Sequence, residues 1–278
     1  MKFTVKQNIL LKNTTGRSFL ADAYIPEKEG KVPLIIFCHG YKGFKDWGAW
    51  SLMAEKFAKN GFYVVTFNFS HNGTTVESPK DFADLEAFGH NNYSLELADL
   101  GCVLDYFIQD EKVDVAQITL MGHSRGGGIC IIKASEDSRV KNLITLASVE
   151  TLDRFPTGEK REEWKKNGVY ETYNSRTKQQ MPHYIQFLND YEEQKERLNV
   201  EKAMKAFSGK SLILHGIEDE AVHFGAAKNL MEWSKDGKLL LLEKANHTFG
   251  SKEPWKDYKL PLPLNTVVKE CISFLMNQ

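Results

Sequence analysis

Short apolar runs rich in Val, Ile, Phe and Leu alternate along this chain with longer stretches whose apolar positions recur every three to four residues. The first kind predicts buried strands and the second amphipathic helices. Their alternation argues for a mostly parallel sheet with helices on both faces. Two early runs, residues 3–11 and 18–25, flank Asn13-Thr14-Thr15-Gly16 and predict an antiparallel hairpin at a sheet edge. Residues 33–38 predict a buried strand ending at His39-Gly40, residues 50–59 a helix stopped by Asn60-Gly61, and residues 62–69 the next strand. A loop rich in Gly, Asn, Ser and Pro covers 70–93. Ser94 then reads as the N-cap of a helix carrying Leu97, Leu100, Leu104, Phe107 and Ile108 on one face. Further strands are predicted at 118–121, 140–147, 211–215 and 238–242, and further helices at 224–233 and 265–276.

One stretch interrupts the alternation. Residues 151–208 show no strand pattern, are highly charged but balanced, and carry Phe155, Trp164, Tyr170, Tyr173, Tyr184, Phe187 and Tyr191. A structureless loop of that length does not suit a compact domain. The expectation is a helical cap over the carboxyl ends of the strands, inserted in a single domain spanning 1–278. The alternative is a surface excursion with solvated charges; so many rings in need of cover favour the cap.

Composition narrows the partners. With 36 basic and 37 acidic side chains, the formal net charge is −1, and no basic block marks a nucleic-acid surface. Cys38, Cys102, Cys130 and Cys271 are scattered, with no Cys/His cluster at metal-ligand spacing, so no metal is expected. The only apolar run near the amino terminus, Ile9-Leu10-Leu11, is too short for the core of a secretion signal, and no stretch is long enough to span a membrane. A cytoplasmic protein without membrane association is expected; oligomeric state is not legible.

The candidate chemistry lies at Ile118-Thr119-Leu120-Met121-Gly122-His123-Ser124-Arg125-Gly126-Gly127-Gly128. A β-prone run enters a G-x-S-x-G pentapeptide, and a glycine-started apolar stretch leaves it. Strand, sharp turn and helix are the setting of a nucleophile elbow, which makes Ser124 the candidate nucleophile. A serine hydroxyl needs a base to take its proton and a carboxylate to hold that base. The loop after the 211–215 strand offers Glu218, Asp219 and Glu220, and the loop after the 238–242 strand offers His247; His223 is a rival base.

The whole chain resembles the α/β-hydrolase superfamily, in His39-Gly40 and its loop, in Gly122 to Gly126, in the Asp219 loop and in His247. That family has the chain order Ser, acid, His. The resemblance selects Asp219, through His215-Gly216-x-x-Asp219-x-x-Val222, and it selects His247 over His223. It implies an oxyanion hole formed by the backbone N–H groups of Tyr41 and Arg125, a structural role for His39, and no cofactor. The run from His39 to Gly48 is similar to bacterial esterases of the dienelactone-hydrolase-like and cinnamoyl/feruloyl-esterase-like branches, in which an insertion at this place helps form the acyl pocket. Ser124 stands where dienelactone hydrolases proper have Cys. The implied activity is hydrolysis of small-molecule carboxylic esters through an acyl-enzyme. The alternatives are an aminopeptidase or amidase, with Glu86, Glu150 or an acid of the 151–208 insertion as an amine anchor, and a non-catalytic binding protein on the same fold.

Overall fold

The computed structural model describes residues 1–277. Along the chain run β1 (Phe3–Lys12), β2 (Ser18–Pro26), β3 (Val32–Cys38), α1 (Trp50–Ala58), β4 (Tyr63–Phe67), α2 (Leu85–Gly89), α3 (Tyr93–Phe107), β5 (Val113–His123), α4 (Arg125–Glu136) and β6 (Val140–Leu146). There follow α5 (Glu159–Asn167), β7 (Val169–Asn174), β8 (Gln179–Tyr184), α6 (Gln186–Glu193), α7 (Val200–Ala206), β9 (Lys210–Gly216), α8 (Gly225–Trp233), β10 (Gly237–Leu242) and α9 (Leu262–Met276).

Eight strands form one sheet in the order β1-β2-β4-β3-β5-β6-β9-β10. The expected hairpin forms one edge: β1 pairs antiparallel with β2, and β2 antiparallel with β4. Every pair from β4 to β10 is parallel. Strands between helices lose water from both faces, so they are apolar throughout rather than alternating. Accordingly every residue of β5 from Ile118 to His123 is buried. One core lies under α3, α4, α7 and α8 and the other under α1 and α9. Trp50 and Trp164, each at most 2% exposed, are among the largest buried side chains, and burying a large apolar side chain stabilises by about 1.5–3 kcal/mol.

Three local expectations are corrected. The cap of α3 is Asn92, whose side chain accepts from Leu95 N at 2.8 Å, and Ser94 already lies within the helix. Asn serves this position as well as Ser, since either oxygen reaches a free first-turn amide. Within the predicted 70–93 loop lies α2, capped by Asp84 accepting from Ala87 N at 2.9 Å. The 151–208 segment is helical at α5, α6 and α7, but its middle is a separate antiparallel hairpin, β7 with β8. Along β7, Val169, Glu171 and Tyr173 point to solvent while Tyr170, Thr172 and Asn174 are covered. That period-two pattern is carried by polar and aromatic side chains rather than by an aliphatic run. Pro182 in β8 is tolerated because each strand of a two-stranded sheet is an edge. The turn lacks an Asn-Gly signal; Lys178, at φ 58°, closes it by donating from its N–H to Asn174 O at 2.7 Å.

Candidate active site

At the carboxyl end of β5 the chain turns into α4 through Ser124, whose φ is +55° and ψ −121°. A non-glycine residue rarely adopts positive φ, and a strained residue held there by its surroundings marks a functional position. Ser124 N–H is held by Leu146 O at 2.9 Å. Glycine is required on the helix side: a Cβ on Gly126 would sit 2.5 Å from the carbonyl oxygens of Cys38 and His39. The elbow therefore presses α4 against the end of β3, and with it Arg125 against the loop that begins at Gly40.

Asp219 follows β9 with its side chain fully buried. Its Oδ1 accepts from Ala221 N at 2.8 Å and Val222 N at 2.9 Å. Its Oδ2 lies 2.8 Å from His247 Nδ1 and 3.0 Å from His215 Nε2. Burial alone would push this carboxyl up, but the hydrogen bonds from His215, His247 and Val222 outweigh it and hold the group far below the usual carboxylate range. An ionised Asp219 accepts only, so His247 carries its proton on Nδ1 and leaves Nε2 as the acceptor.

His247 sits in the loop after β10. Asn246 Oδ1 accepts from Gly250 N at 2.8 Å and so closes that loop. His123 donates from Nε2 to His247 O at 2.9 Å, and the two rings lie 4.8 Å apart. Burial holds the His123 imidazole down to about 3, so it stays neutral in this role. Glu218, Glu220 and His223 are exposed, and none is bonded to Asp219 or His247 among the described residues.

The loop after β3 is firmly seated. His39 is buried, its Nδ1–H donating to Gly40 O at 2.9 Å while Nε2 accepts from Phe69 N at 3.3 Å. Lys45, 2% exposed, bridges Asp22 at 2.5 Å and Asp46 at 2.7 Å. Tyr41 OH lies 2.7 Å from both Thr172 Oγ1 and His183 Nε2, tying this loop to the β7-β8 hairpin. Burial, aided by Arg125 and Lys42, holds His183 down to about 3. Arg125 is the first residue of α4, where the amide has no intrahelical partner.

Two cavities meet at the elbow. The larger, about 720 Å³, is lined by Ser124, Arg125, Tyr41, Tyr93 and His247 from the main domain and by Phe155, Trp164, Tyr170, Thr172, His183 and Phe187 from the 151–208 segment. The smaller, about 250 Å³, is also lined by Ser124, Tyr41 and His247, together with Trp47, Lys42, Asn174 and Arg176. Of the five residues given roles from the sequence, Ser124, His247, Tyr41 and Arg125 line these cavities, and Asp219 stands behind them, bonded to His247. Sequence reasoning missed His215, His123, His183, Thr172 and Glu96. His215 and His123 stand inside the motifs quoted above, at the head of His215-Gly216-x-x-Asp219 and second in Gly122 to Gly126, but at positions to which those motifs give no role; His183, Thr172 and Glu96 belong to no motif.

A mostly parallel sheet with an antiparallel edge, a strained serine between central strand and helix, and a buried Asp bonded to a half-buried His at its rim make this an α/β-hydrolase. The chain belongs to the alpha/beta hydrolase fold family, whose model matches residues 33–179. An uncharacterised 31.7 kDa protein from the traX-finO intergenic region of Escherichia coli is 30% identical over 138 residues, covering 50% of this chain and 45% of that protein. Cutinase 2 of Thermobifida cellulosilytica is 28% identical over 129 residues, covering 44% of this chain and 42% of that one. The chain thus aligns with a little under half the length of these relatives. Est1E from Butyrivibrio proteoclasticus, solved with ferulic acid bound, superposes with a TM-score of 0.75 over 97% of this chain and 98% of its own, at 20% identity. Among the described residues no helix is long and apolar enough to cross a membrane.

Proposed function

We propose that this protein is a serine esterase that hydrolyses carboxylic esters of small molecules, with Ser124, His247 and Asp219 as the catalytic triad. The observation that carries the reading is the strained Ser124 at the junction of two cavities that also share His247, whose Nδ1 is held 2.8 Å from buried Asp219. His247 Nε2 takes the Ser124 proton as Oγ attacks the ester carbonyl carbon. The oxyanion that forms is stabilised by the backbone N–H groups of Tyr41 and Arg125, donors already aimed at the charge as it develops. Collapse of this intermediate expels the alcohol, which receives its proton from His247. Water, deprotonated by the same histidine, then releases the acid and restores Ser124. Asp219 keeps the imidazole in the productive tautomer and stabilises its charged form. No cofactor enters the cycle.

In this reading the larger, ring-lined cavity takes the acyl group and the smaller one the alcohol. Two relatives support ester chemistry: one is a cutinase, and the structure of another holds ferulic acid. An aminopeptidase would need an acidic anchor for the substrate amine. No Asp or Glu is among the described residues that line either cavity. Glu86 is engaged by Tyr184 OH at 2.5 Å and Glu150 by Asn229, away from both cavities. The test is turnover on a panel of 4-nitrophenyl esters, from acetate to hydroxycinnamates, beside amino-acid 4-nitroanilides. Esters are expected to be cleaved and anilides not, with the ester activity falling about 10⁶-fold in Ser124→Ala, the scale seen when a serine hydrolase loses its nucleophile. Preferential cleavage of anilides would overturn the reading.

A further inference from the structure

The side chain of Arg125 has no part in the mechanism above, yet it lines the acyl cavity beside Ser124. Its guanidinium lies over three aromatic rings, 4.3 Å from the centre of Tyr41 and 5.4 Å from those of Tyr93 and Phe187. Glu96 Oε1 approaches Nη1 at 3.4 Å, the one acceptor bonded to this guanidinium among the described residues. A guanidinium has five N–H donors in a fixed fork, so this pair leaves most of them open. Glu96 pairs with one nitrogen of this fork and no more. Its Oε1 also accepts from Asn91 Nδ2 at 2.7 Å, its Oε2 has no partner, and burial pushes its carboxyl up.

The wider lining has the same sign. Arg154 and Lys160 line the larger cavity, Lys42 and Arg176 the smaller, and no carboxylate among the described residues faces either. The whole chain has a net charge of −1, so this positive lining is a local property of the site. A cleft lined by one sign of charge concentrates ligands of the other. A half-buried cation with open donors, against aromatic faces, is suited to a planar anion that can take two of those donors at once.

We infer that Arg125 makes this cavity selective for esters whose acyl group carries a second, free carboxylate, the half-esters of dicarboxylic acids. The inference rests on the ester-hydrolase reading for its chemistry; the recognition is a property of the cavity. The carboxylate pairs with the guanidinium while the ester carbonyl lies at Ser124.

The test compares kcat/KM for the 4-nitrophenyl half-esters of adipic, suberic and terephthalic acids with the matched uncharged hexanoate, octanoate and 4-methylbenzoate. A charge-assisted pair of this kind is expected to favour at least one half-ester by roughly ten- to a hundredfold over its match. Because the Arg125 amide belongs to the oxyanion hole, the readout in variants is this ratio, in which general losses cancel. The ratio should fall to about one or below in Arg125→Met and partly recover in Arg125→Lys, which keeps the charge and loses the fork. Arg154→Gln and Lys160→Gln should leave most of it. Wild-type ratios at or below one for all three pairs would overturn the inference, as would a ratio lost in the Arg154 and Lys160 variants and retained in Arg125→Met. If no ester is cleaved, the ester reading falls, and titration calorimetry of the wild-type protein with suberate and octanoate decides the inference by itself. Tighter suberate binding that Arg125→Met abolishes supports it, and equal or absent binding overturns it.

Discussion

Replacing Gly126 by alanine should damage both stability and turnover, because the elbow and the loop proposed to carry an oxyanion donor share a contact with no room for a methyl group. A Cβ there would lie 2.5 Å from both the Cys38 and His39 carbonyl oxygens, whereas carbon and carbonyl oxygen normally approach to about 3.3–3.6 Å. The backbones must separate by roughly 0.8 Å or more, and the obstruction is strand backbone rather than a side chain that can rotate away. Overpacking costs about 1–3 kcal/mol, and a purely backbone clash belongs at the upper end. For a chain of this size that lowers Tm by about 5 °C. The same separation moves Arg125 away from Tyr41, so kcat should fall about 10²–10³-fold, as when one oxyanion donor is lost. The control is Gly101→Ala within α3, where the added methyl would meet only the flexible Lys133 Nζ, at 3.2 Å. There, helix propensity should raise stability by up to ~1 kcal/mol with turnover unchanged. Thermal unfolding and kcat on 4-nitrophenyl butyrate read both variants. A Gly126→Ala protein with wild-type Tm and kcat, or a Gly101→Ala protein damaged as severely, would refute the argument.

Other consequences can be tested separately. Asp219→Asn should lower kcat about 10⁴-fold through loss of the productive His247 tautomer, and a loss below tenfold in steady-state assays would count against the assignment. Ser124→Gly should abolish turnover yet raise unfolding free energy by about 1 kcal/mol, since glycine accepts the +55° φ without strain; urea denaturation giving equal or lower stability would contradict this. Burial pushes the Asp99 carboxyl up to about 7, from an ordinary 3.8. The native state therefore keeps a proton that the unfolded chain releases, and this group's contribution to stability falls as pH rises from about 4 to about 7. Buried His39 and His123, held down to about 4 and about 3, tilt the curve the other way, so the difference between Asp99→Asn and wild type isolates the effect. That difference should shift in favour of the variant by up to ~4 kcal/mol between pH 4 and pH 8, and a pH-independent difference in denaturant unfolding would refute it.

The parallel strands were legible because burial on both faces demands continuous apolar runs, and β3, β4, β6, β9 and β10 each fall within a few residues of such a run. The residues proposed for the triad were legible for a different reason. Each stands just beyond a strand end, in loops whose order along the chain is fixed by the sheet. The β7-β8 hairpin was hidden because its inward side chains, Tyr170, Thr172 and His183, cover a cavity rather than an aliphatic core. The α3 cap was misplaced by two residues because Asn92 and Ser94 offer equivalent oxygens, and only packing decides between them. Glu96 and Asp99 lie on the buried face of α3 beside Leu97 and Leu100. Nothing local distinguishes such acids from solvated ones, since their burial is set by Arg125 and Ser70, contacts distant in sequence. His215 stands four residues before Asp219, inside the spacing that singled out that acid, whereas His123 reaches the His247 loop across 124 residues that no spacing rule spans.

The central claim is that Ser124 is the nucleophile, and covalent labelling addresses it directly. A fluorophosphonate reacts with a serine that has an activating base and oxyanion donors, forming a stable phosphonyl ester with loss of fluoride. Intact-mass analysis and peptide mapping should show one adduct on the native protein, located on Ser124, and none on Ser124→Ala. An unlabelled native protein, or an adduct that persists in Ser124→Ala, would contradict the account.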